Sequence, residues 1–227
     1  NQDRVKGDYN EFWASRDLAK RPNNFKAAVF MSHAFNDWNV VPEHSYNIIK
    51  LLKEKGVPLQ IYYHQGGHGG EPPFPMMNKW FTRYLFGIQN GVEKDPKAWI
   101  VREYSNRQNP TPYKDYPNPD ASAVQLFLTA GAPKAGGLVT GKVSKQGKET
   151  LTDDVTFSGT VLAQAETSKN RLLFLTPVLK DSVHISGVPS ITIKLACSKT
   201  AANLTVWLVA LPWNTEKTAK ITDNLID

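Results

Sequence analysis

The chain has 227 residues, 41% of them hydrophobic and 11% aromatic, which is enough for one large domain or two modest ones with a buried core. Its formal net charge of +6 is shared equally by residues 1–90 and residues 91–227, and without a basic cluster it does not indicate nucleic-acid binding. No apolar run approaches the roughly 18 residues of a membrane-spanning helix, so the composition gives no sign of a membrane partner.

The start of the chain and its single thiol favour a cytoplasmic protein. Residues 1–10 are polar and of mixed charge, and therefore lack the apolar stretch of a secretory signal. They begin with Asn1 rather than Met, which suggests a cut or engineered start. Cys197 is the only cysteine, so an internal disulfide is impossible and the thiol suits a reducing compartment.

Residues 23–105 are assigned to an α/β domain, because strand and helix patterns alternate from about Lys26 to Gly87. Lys26–Ser32 is a compact apolar run of the kind found in buried parallel strands. Pro42 is placed to open a helix that Gly56 ends, and Leu59–Tyr63 is the next predicted strand. The residues expected on one face of this helix are Val41, Ser45, Ile48 and Leu52.

A second predicted helix follows a glycine-rich loop. It begins at Pro75 and ends at Gly87, with a typical helical stop. The spacing of its apolar residues predicts a buried stripe. The members of this stripe are Met77, Trp80, Phe81, Tyr84 and Leu85.

Two segments stand apart from these patterns. Residues 1–22 are interpreted as a leader segment from the region preceding the core. Residues 106–120 contain four prolines and two tyrosines, and such a segment cannot be a helix or a central strand. Its stiffness suits an ordered connection, so we expect it to link two domains.

Residues 121–227 carry strand patterns alone, which predicts a β-sandwich. In Ser190–Ser198 apolar and polar residues alternate, as in a strand with one buried face, and Cys197 falls on the apolar face as a small core residue. The predicted strands are Ala123–Thr129, Val155–Ser158, Arg171–Leu175, Ser190–Ser198 and Asn203–Leu211.

Asp37 and His68 each follow a predicted strand of the α/β region and are the candidate catalytic residues. Loops at the carboxyl ends of neighbouring parallel strands share one crevice, so the two side chains can meet. An acid after one strand and a histidine after the next is the order of the last two members of a Ser-Asp-His triad in α/β-hydrolases. The acid would fix the imidazole tautomer, and the other ring nitrogen would take a proton from a nucleophile.

Simpler interpretations of these residues stay open. Taken singly, Asp37 fits a turn or cap residue, and His68 fits an ordinary loop histidine. His64 is a rival for the role of base, although it is expected at the strand end rather than in the loop. His33 and His44 flank the acid and raise the alternative of a metal site. Glycines between the two later histidines argue against the helical spacing of a zinc motif, and no metal is expected.

The nucleophile itself is missing from the pattern. Ser32 follows a strand, but no glycine stands two positions to either side of it, and the motif Gly-x-Ser-x-Gly does not occur. Because the nucleophile precedes the acid in α/β-hydrolases, we expect it upstream of Asn1. Two triad members without a nucleophile cannot form an acyl-enzyme, so we expect the isolated chain to be inactive.

Distinctive segments surround the two candidate residues. They are Gly7–Trp13 (GDYNEFW), Arg16–Asp17, His33–Val40 (HAFNDWNV), His64–His68 (HQGGH), Trp80–Gly87 (WFTRYLFG) and Tyr113–Pro119. Together they resemble the X-prolyl dipeptidyl aminopeptidases, or Xaa-Pro dipeptidyl-peptidases, of lactic-acid bacteria. The resemblance covers nearly the whole chain and weakens after about residue 135, and the proline-rich stretch Gly69–Pro75 departs from it locally.

The resemblance implies a cytoplasmic, homodimeric serine peptidase that removes X-Pro dipeptides from peptide amino termini without a cofactor. It implies an α/β-hydrolase core followed by a jelly-roll β-sandwich, with Asp37 as the triad acid and His68 as the triad histidine. The serine would lie in the remainder of the same polypeptide, and the jelly roll would continue past Asp227. Two alternatives are a related esterase or α-amino-acid ester hydrolase, and a non-catalytic fragment whose sandwich binds a partner.

Overall fold

The computed structural model of the chain describes residue 3 and residues 5–21, 25–144, 146–199, 202 and 204–211. These residues fall into two units. The first unit holds the chain up to Pro119 together with Gly187–Trp207, and the second holds Asp120–Ser186 and the described residues from 208 onward. Both candidate catalytic residues lie in the first unit.

The first unit is built on a four-stranded sheet in the order β1-β2-β3-β4. Its strands are β1 (Val29–Ala34), β2 (Leu59–His64), β3 (Ala98–Ile100) and β4 (Thr111–Tyr113). The first three run parallel, and β4 pairs antiparallel with β3. Pro112 lies in β4 opposite Trp99, which fits the confinement of proline to strands at the edge of a sheet.

The described helices of the first unit are α1 (Glu11–Ala14), α2 (Pro42–Glu54) and α3 (Phe74–Phe86), with 3-10 turns at Leu18–Lys20 and Val92–Lys94. As predicted, proline opens α2. Gly56 follows its end with φ +65°, and Gly87 ends α3 with φ +73°, a backbone that glycine adopts readily. None of the helices formed by the described residues is both long and apolar enough to cross a lipid bilayer.

α2 joins β1 to β2 and packs against their sheet through one face. The buried residues of this face are Ser45, Ile49 and Leu52. The predicted face differed from it, because Ile48 is half-buried and Val41 is exposed. Val41 precedes the first helical residue and therefore does not follow the helical repeat.

The predicted buried stripe of α3 is wrong for two of its five residues. Trp80 is buried and stacks on a phenylalanine of β1, with ring centroids 5.9 Å apart, and Met77 and Tyr84 are half-buried. Phe81 and Leu85 are 46% and 72% exposed. A stripe of this width needs neighbours on both sides of its centre, and the described residues do not cover these two side chains.

The core of the first unit lies between α2 and one face of the sheet. Its buried residues come from α2, β2, β3 and the proline-rich segment after β4. Tyr116, from that segment, packs on Tyr63 of β2 with ring centroids 5.0 Å apart. Apolar packing therefore orders the predicted linker at this residue. The buried members are Ile49, Ile61, Tyr63, Ala98, Ile100 and Tyr116.

The second unit contains a smaller sheet in the order β5-β6-β7. Its elements are β5 (Phe127–Leu128), β6 (Gly136–Val139), α4 (Gly159–Gln164) and β7 (Phe174–Leu175). β5 and β6 pair antiparallel, and β6 and β7 pair parallel. Two of the predicted strands, in Ala123–Thr129 and Arg171–Leu175, are therefore present in shortened form.

The other strands predicted for the C-terminal region are absent from the described residues. Val155–Ser158 forms a turn that leads into α4, and neither Ser190–Ser198 nor the described part of Asn203–Leu211 has regular structure. Asn203 itself lies outside the described residues. Cys197 is exposed rather than part of a core, and its Sγ donates to the Lys199 carbonyl oxygen. Alternation produces a strand only where a neighbouring strand pairs with it, and the described residues supply none here.

Candidate active site

Asp37 and His68 lie in two loops that leave the same edge of the sheet. β1 and β2 pair in parallel to their last residues, so the two loops begin side by side. The backbone N–H groups of Phe35 and Asn36 donate to carbonyl oxygens at the end of β2 and in the second loop, at 2.8 and 3.2 Å. The side-chain amide of Asn36 donates to another carbonyl oxygen of that loop at 2.6 Å. These bonds hold the two loops together beyond the strands.

The Asp37 carboxylate is buried, with 4% of its side chain exposed, and is contacted by hydrogen-bond donors at both oxygens. Oδ1 accepts the backbone N–H groups of Asn39 and Val40, each at 2.9 Å. Oδ2 lies 2.9 Å from His68 Nδ1 and 3.3 Å from His33 Nε2. The Val40 N–H, followed by the His68 and Asn39 donors, outweighs burial and lowers the pKa of Asp37 from 3.8 to about 2. Asp37 is therefore ionised at neutral pH.

The imidazole of His68 is accessible, with 62% of its side chain exposed. Its Nδ1 faces an ionised carboxylate, which only accepts hydrogen bonds, so Nδ1 carries the hydrogen and Nε2 is the basic nitrogen. The described residues provide no hydrogen-bonding partner for Nε2. In this orientation an imidazole can take a proton from a nucleophile.

Two glycines of the second loop are required by the side chains beneath them. The Gly66 N–H donates to His64 Nδ1 at 3.0 Å, and a Cβ on Gly66 would collide with His64 and Arg107. Gly70 has φ +102°, and a Cβ there would lie 2.5 Å from His64 Nε2. The His64 ring therefore sets the path of the loop that carries His68.

This placement gives His64 a supporting position. The side chain is fully buried at the end of β2. Burial, followed by the charge of Arg107, lowers the pKa of His64, so the ring is neutral at pH 7. Its Nδ1 is already occupied by the Gly66 N–H. The sequence-based rival for the role of base thus has no access to a substrate.

A further histidine, predicted only as a residue flanking the acid, contacts Asp37. His33 in β1 places Nε2 2.8 Å from the Val40 carbonyl oxygen and Nδ1 2.6 Å from Ser45 Oγ. Ser45 Oγ lies 2.6 Å from the Tyr63 hydroxyl. Both nitrogens of His33 are engaged by protein groups, which argues against a metal at this residue. Across the described ranges, no cluster of three or more His, Cys, Asp or Glu could hold a metal ion.

Ser45, His33 and Asp37 are the residue types of a catalytic triad, yet Ser45 cannot act as its nucleophile. It is buried in α2, and its Oγ lies 2.9 Å from the Pro42 carbonyl oxygen as well as near the Tyr63 hydroxyl. Protein groups therefore surround the hydroxyl. A polar residue on the sheet-facing side of α2, next to a strand histidine, is the sequence signal that could have revealed this network.

Two family models match the chain. The model described as X-Pro dipeptidyl-peptidase (S15 family) matches residues 1–70. The model described as X-Pro dipeptidyl-peptidase C-terminal non-catalytic domain matches residues 90–226. Asp37 and His68 both lie within the first of these matches.

Curated relatives are similar to most of the chain. A putative Xaa-Pro dipeptidyl-peptidase of Rhodopirellula baltica is 56% identical over 226 residues, covering 100% of this chain and 36% of the relative. A putative Xaa-Pro dipeptidyl-peptidase of Bacillus anthracis is 36% identical over 215 residues, covering 92% and 35%. The Xaa-Pro dipeptidyl-peptidase of Lacticaseibacillus rhamnosus is 28% identical over 222 residues, covering 93% and 28%. The chain thus spans about a third of the length of these relatives.

Proposed function

Because this chain belongs to the X-Pro dipeptidyl-peptidase family, S15, we propose that it supplies the acid and base of a serine exopeptidase that releases X-Pro dipeptides from peptide amino termini. Membership of this family supports a peptidase function. Asp37 is the proposed acid and His68 the proposed base. The proposed nucleophile is a serine carried by the same polypeptide outside these 227 residues.

One observation carries the proposal. His68 Nδ1 lies 2.9 Å from Asp37 Oδ2, between loops that follow adjacent parallel strands. The acid is buried and ionised, while the histidine is exposed and its Nε2 is the basic nitrogen. A general base needs both an oriented imidazole and access to the substrate, and this pair has both properties.

The proposed reaction begins when His68 Nε2 takes the hydroxyl proton of the serine, whose oxygen attacks the carbonyl carbon of proline. Asp37 stays ionised and stabilises the imidazolium. The imidazolium then gives its proton to the leaving amine as the C–N bond breaks, leaving an acyl-enzyme. Water attacks this ester with the same proton transfers, releasing the X-Pro dipeptide and the free serine.

The remaining features of the family resemblance are also proposals. The sheet of the second unit and the C-terminal family match support a jelly-roll β-sandwich within residues 121–227. The resemblance suggests a homodimer and a cytoplasmic location, and the lone cysteine fits a reducing compartment.

The test compares the full-length wild-type protein with His68→Ala and His64→Ala on a Gly-Pro anilide. We expect the wild type to cleave it and His68→Ala to lower kcat/KM by about three to six orders of magnitude. Circular dichroism should remain unchanged, because the His68 side chain is exposed. If a folded His64→Ala loses turnover and His68→Ala keeps it, the assignment of the base is wrong.

A simple aryl ester separates the peptidase from a related esterase. An esterase with the same acid and base would hydrolyse the ester and leave the anilide intact. We also expect the purified 227-residue chain to hydrolyse neither substrate, because none of the described residues places a nucleophile at His68 Nε2. Sustained anilide hydrolysis by that chain would contradict the proposal of an external serine.

A further inference from the structure

A chain of short contacts runs from the core of the first unit to the Asp37 carboxylate. The Tyr63 hydroxyl on β2 lies 2.6 Å from Ser45 Oγ on α2, which lies 2.6 Å from His33 Nδ1 on β1. His33 Nε2 then lies 2.8 Å from the Val40 carbonyl oxygen and 3.3 Å from Asp37 Oδ2. Tyr63, Ser45 and His33 come from three different elements, so the contacts among them report the tertiary fold rather than local sequence.

The groups around His33 determine which of its ring nitrogens carries the hydrogen. His33 Nε2 faces a carbonyl oxygen and a carboxylate, both of which only accept, so Nε2 must carry a hydrogen. In a neutral ring, Nδ1 accepts the Ser45 hydroxyl, which in turn accepts the Tyr63 hydroxyl. In an imidazolium, Nδ1 donates to Ser45, which can then donate to the Pro42 carbonyl oxygen. In both cases the Nε2–H donates to the Val40 carbonyl oxygen at 2.8 Å, and Nε2 lies 3.3 Å from Asp37 Oδ2.

The two carboxylate oxygens of Asp37 have different partners. Oδ1 is fixed by the backbone N–H groups of Asn39 and Val40. Oδ2 accepts the His68 Nδ1–H at 2.9 Å and lies 3.3 Å from His33 Nε2, whose N–H donates to Val40. Loss of His33 would therefore leave the carboxylate in place, but more of its negative charge at Oδ2 would be available to His68.

We propose that His33, held by Ser45 and Tyr63, is a positioning residue that sets how strongly Asp37 stabilises the charged form of His68. This inference rests on the proposed function, since His33 acts only through the acid and base assigned there. A general base works best when its basicity matches the working pH, so a polarised N–H group beside the acid tunes the base without touching the substrate.

Other titratable groups face this cluster from the same elements. Tyr63 is neutral, because burial raises its pKa far above neutral pH. His64, at the end of β2, interacts electrostatically with both His33 and Asp37, and burial followed by Arg107 lowers its pKa. Both groups keep their charge state near pH 7, so a change in the titration of His68 reports on His33.

The experiment measures the pKa of His68 in the full-length protein by NMR of isotope-labelled histidine side chains, with the signal assigned by its loss in His68→Ala. His33→Leu and His33→Asn both remove the Nε2–H. His33→Gln retains an N–H near the same place. His44→Leu is the control, because His44 is an exposed histidine of α2.

We expect His33→Leu and His33→Asn to raise the pKa of His68 by about 0.5 to 1 unit, because Oδ2 loses the partial positive charge of the Nε2–H group beside it. The acid limb of kcat/KM should move upward by the same amount, with kcat lowered about threefold to tenfold and KM nearly unchanged. His33→Gln should stay close to the wild type, and His44→Leu should match it.

An unchanged His68 titration in a folded His33→Leu or His33→Asn protein would overturn the inference, even if kcat falls. So would an equal shift in His44→Leu. If neither variant folds, Tyr63→Phe must shift the titration in the same direction by a smaller amount, and no shift would count against the inference. A wild type that cleaves no X-Pro substrate would refute the proposed function, while the NMR titration would still test His33.

Discussion

The sheet of the first unit and the second unit are stabilised in different ways. In the former, Ile61, Tyr63 and Ala98 are at most 1% exposed, enclosed with α2 and the proline-rich segment. In the second unit, Ala132 is the single buried apolar residue among those described, and Val155 and Val178 are 91% and 95% exposed. Both regions contain apolar patterns, so the difference shows that a core forms only where two elements cover each other.

The second unit depends more on polar contacts from a few side chains. The Arg171 guanidinium donates to backbone carbonyl oxygens of α4, of the residues just after it and of the turn between β5 and β6. Glu149 Oε1 accepts the N–H groups of Gly131 and Ala132 at 2.6 and 3.3 Å. One arginine thus ties together segments that lack an apolar layer between them.

The largest effect expected from this comparison is on the core of the first unit. Ile61→Ala removes a fully buried side chain, and we expect it to lower the free energy of unfolding by about 2 to 5 kcal/mol. Ile185→Ala makes the same change at an exposed residue of the second unit and should cost no more than about 0.5 kcal/mol. Denaturant unfolding of the full-length protein measures both. Equal costs would show that Ile185 belongs to a core, and the comparison would fail.

The next effect concerns the arginine of the second unit. We expect Arg171→Met to cost about 2 to 3 kcal/mol, because several carbonyl oxygens lose a charged donor at once. Amide hydrogen exchange of residues 131–137 should report this loss locally. Arg171→Lys should restore a part of it, since lysine lacks the planar fork of guanidinium. Arg102→Met, at an exposed arginine of the first unit, is the matched control and should leave exchange in residues 131–137 unchanged.

The comparison also explains how far sequence patterns predicted the fold. β1, α2, β2 and α3 were predicted because each is long enough to show its own repeat and the elements cover one another. β3 and β4 have three residues each, too few to show a period, and pairing with β2 and with each other defines them. Ser190–Ser198 shows the opposite case, since its alternation is clear but no described strand pairs with it.

The residues of the candidate site likewise differ in whether sequence patterns could predict them. Asp37 and His68 could be proposed from sequence because strand order alone brings their loops together. The contacts among His33, Ser45 and Tyr63 were not predicted, although Ser45 lay on the predicted face of α2, because they depend on how that helix packs on the sheet. The predicted and observed faces of α2 share Ser45 and Leu52 and differ at Ile49, which was not predicted. To predict a side-chain network of this kind one must know the packing angle of the helix, and hydrophobic periodicity does not give that angle.

Within the first unit, loop geometry should affect activity more than stability. We expect Gly70→Ala to cost about 1 to 3 kcal/mol, because an alanine there has an unfavourable positive φ and meets His64. Displacement of the loop should also move His68 and lower kcat by about tenfold to a hundredfold. Gly91→Ala has φ +76° but no atom within 4 Å of its Cβ, so it should reduce stability modestly and leave kcat unchanged. Equal kcat values for the two variants would show that the loop tolerates the change.

The smallest effect expected concerns one carboxylate from each unit. Asp37 accepts hydrogen bonds from three residues, Asn39, Val40 and His68, and those from Val40 and His68 contribute most to lowering its pKa to about 2. Asp154 accepts the hydroxyl and then the N–H of a single neighbour, Thr156, and these contacts lower its pKa. Because a carboxylate gains more from several fixed donors than from one flexible neighbour, we expect Asp37 to titrate at lower pH than Asp154.

The sign of the resulting stability change follows from linkage. A folded-state pKa of Asp37 below its ordinary value of 3.8 stabilises the fold fully above about pH 4, and this contribution is lost as pH falls toward about 2. Unfolding of the full-length protein between those values should therefore depend less on pH in Asp37→Asn than in the wild type, with Asp154→Asn changing the slope less. An unaltered slope in Asp37→Asn would mean that its donors do not hold the carboxylate. The positions of both loops would then depend on the hydrogen bonds that Phe35 and Asn36 donate to the end of β2 and to the second loop.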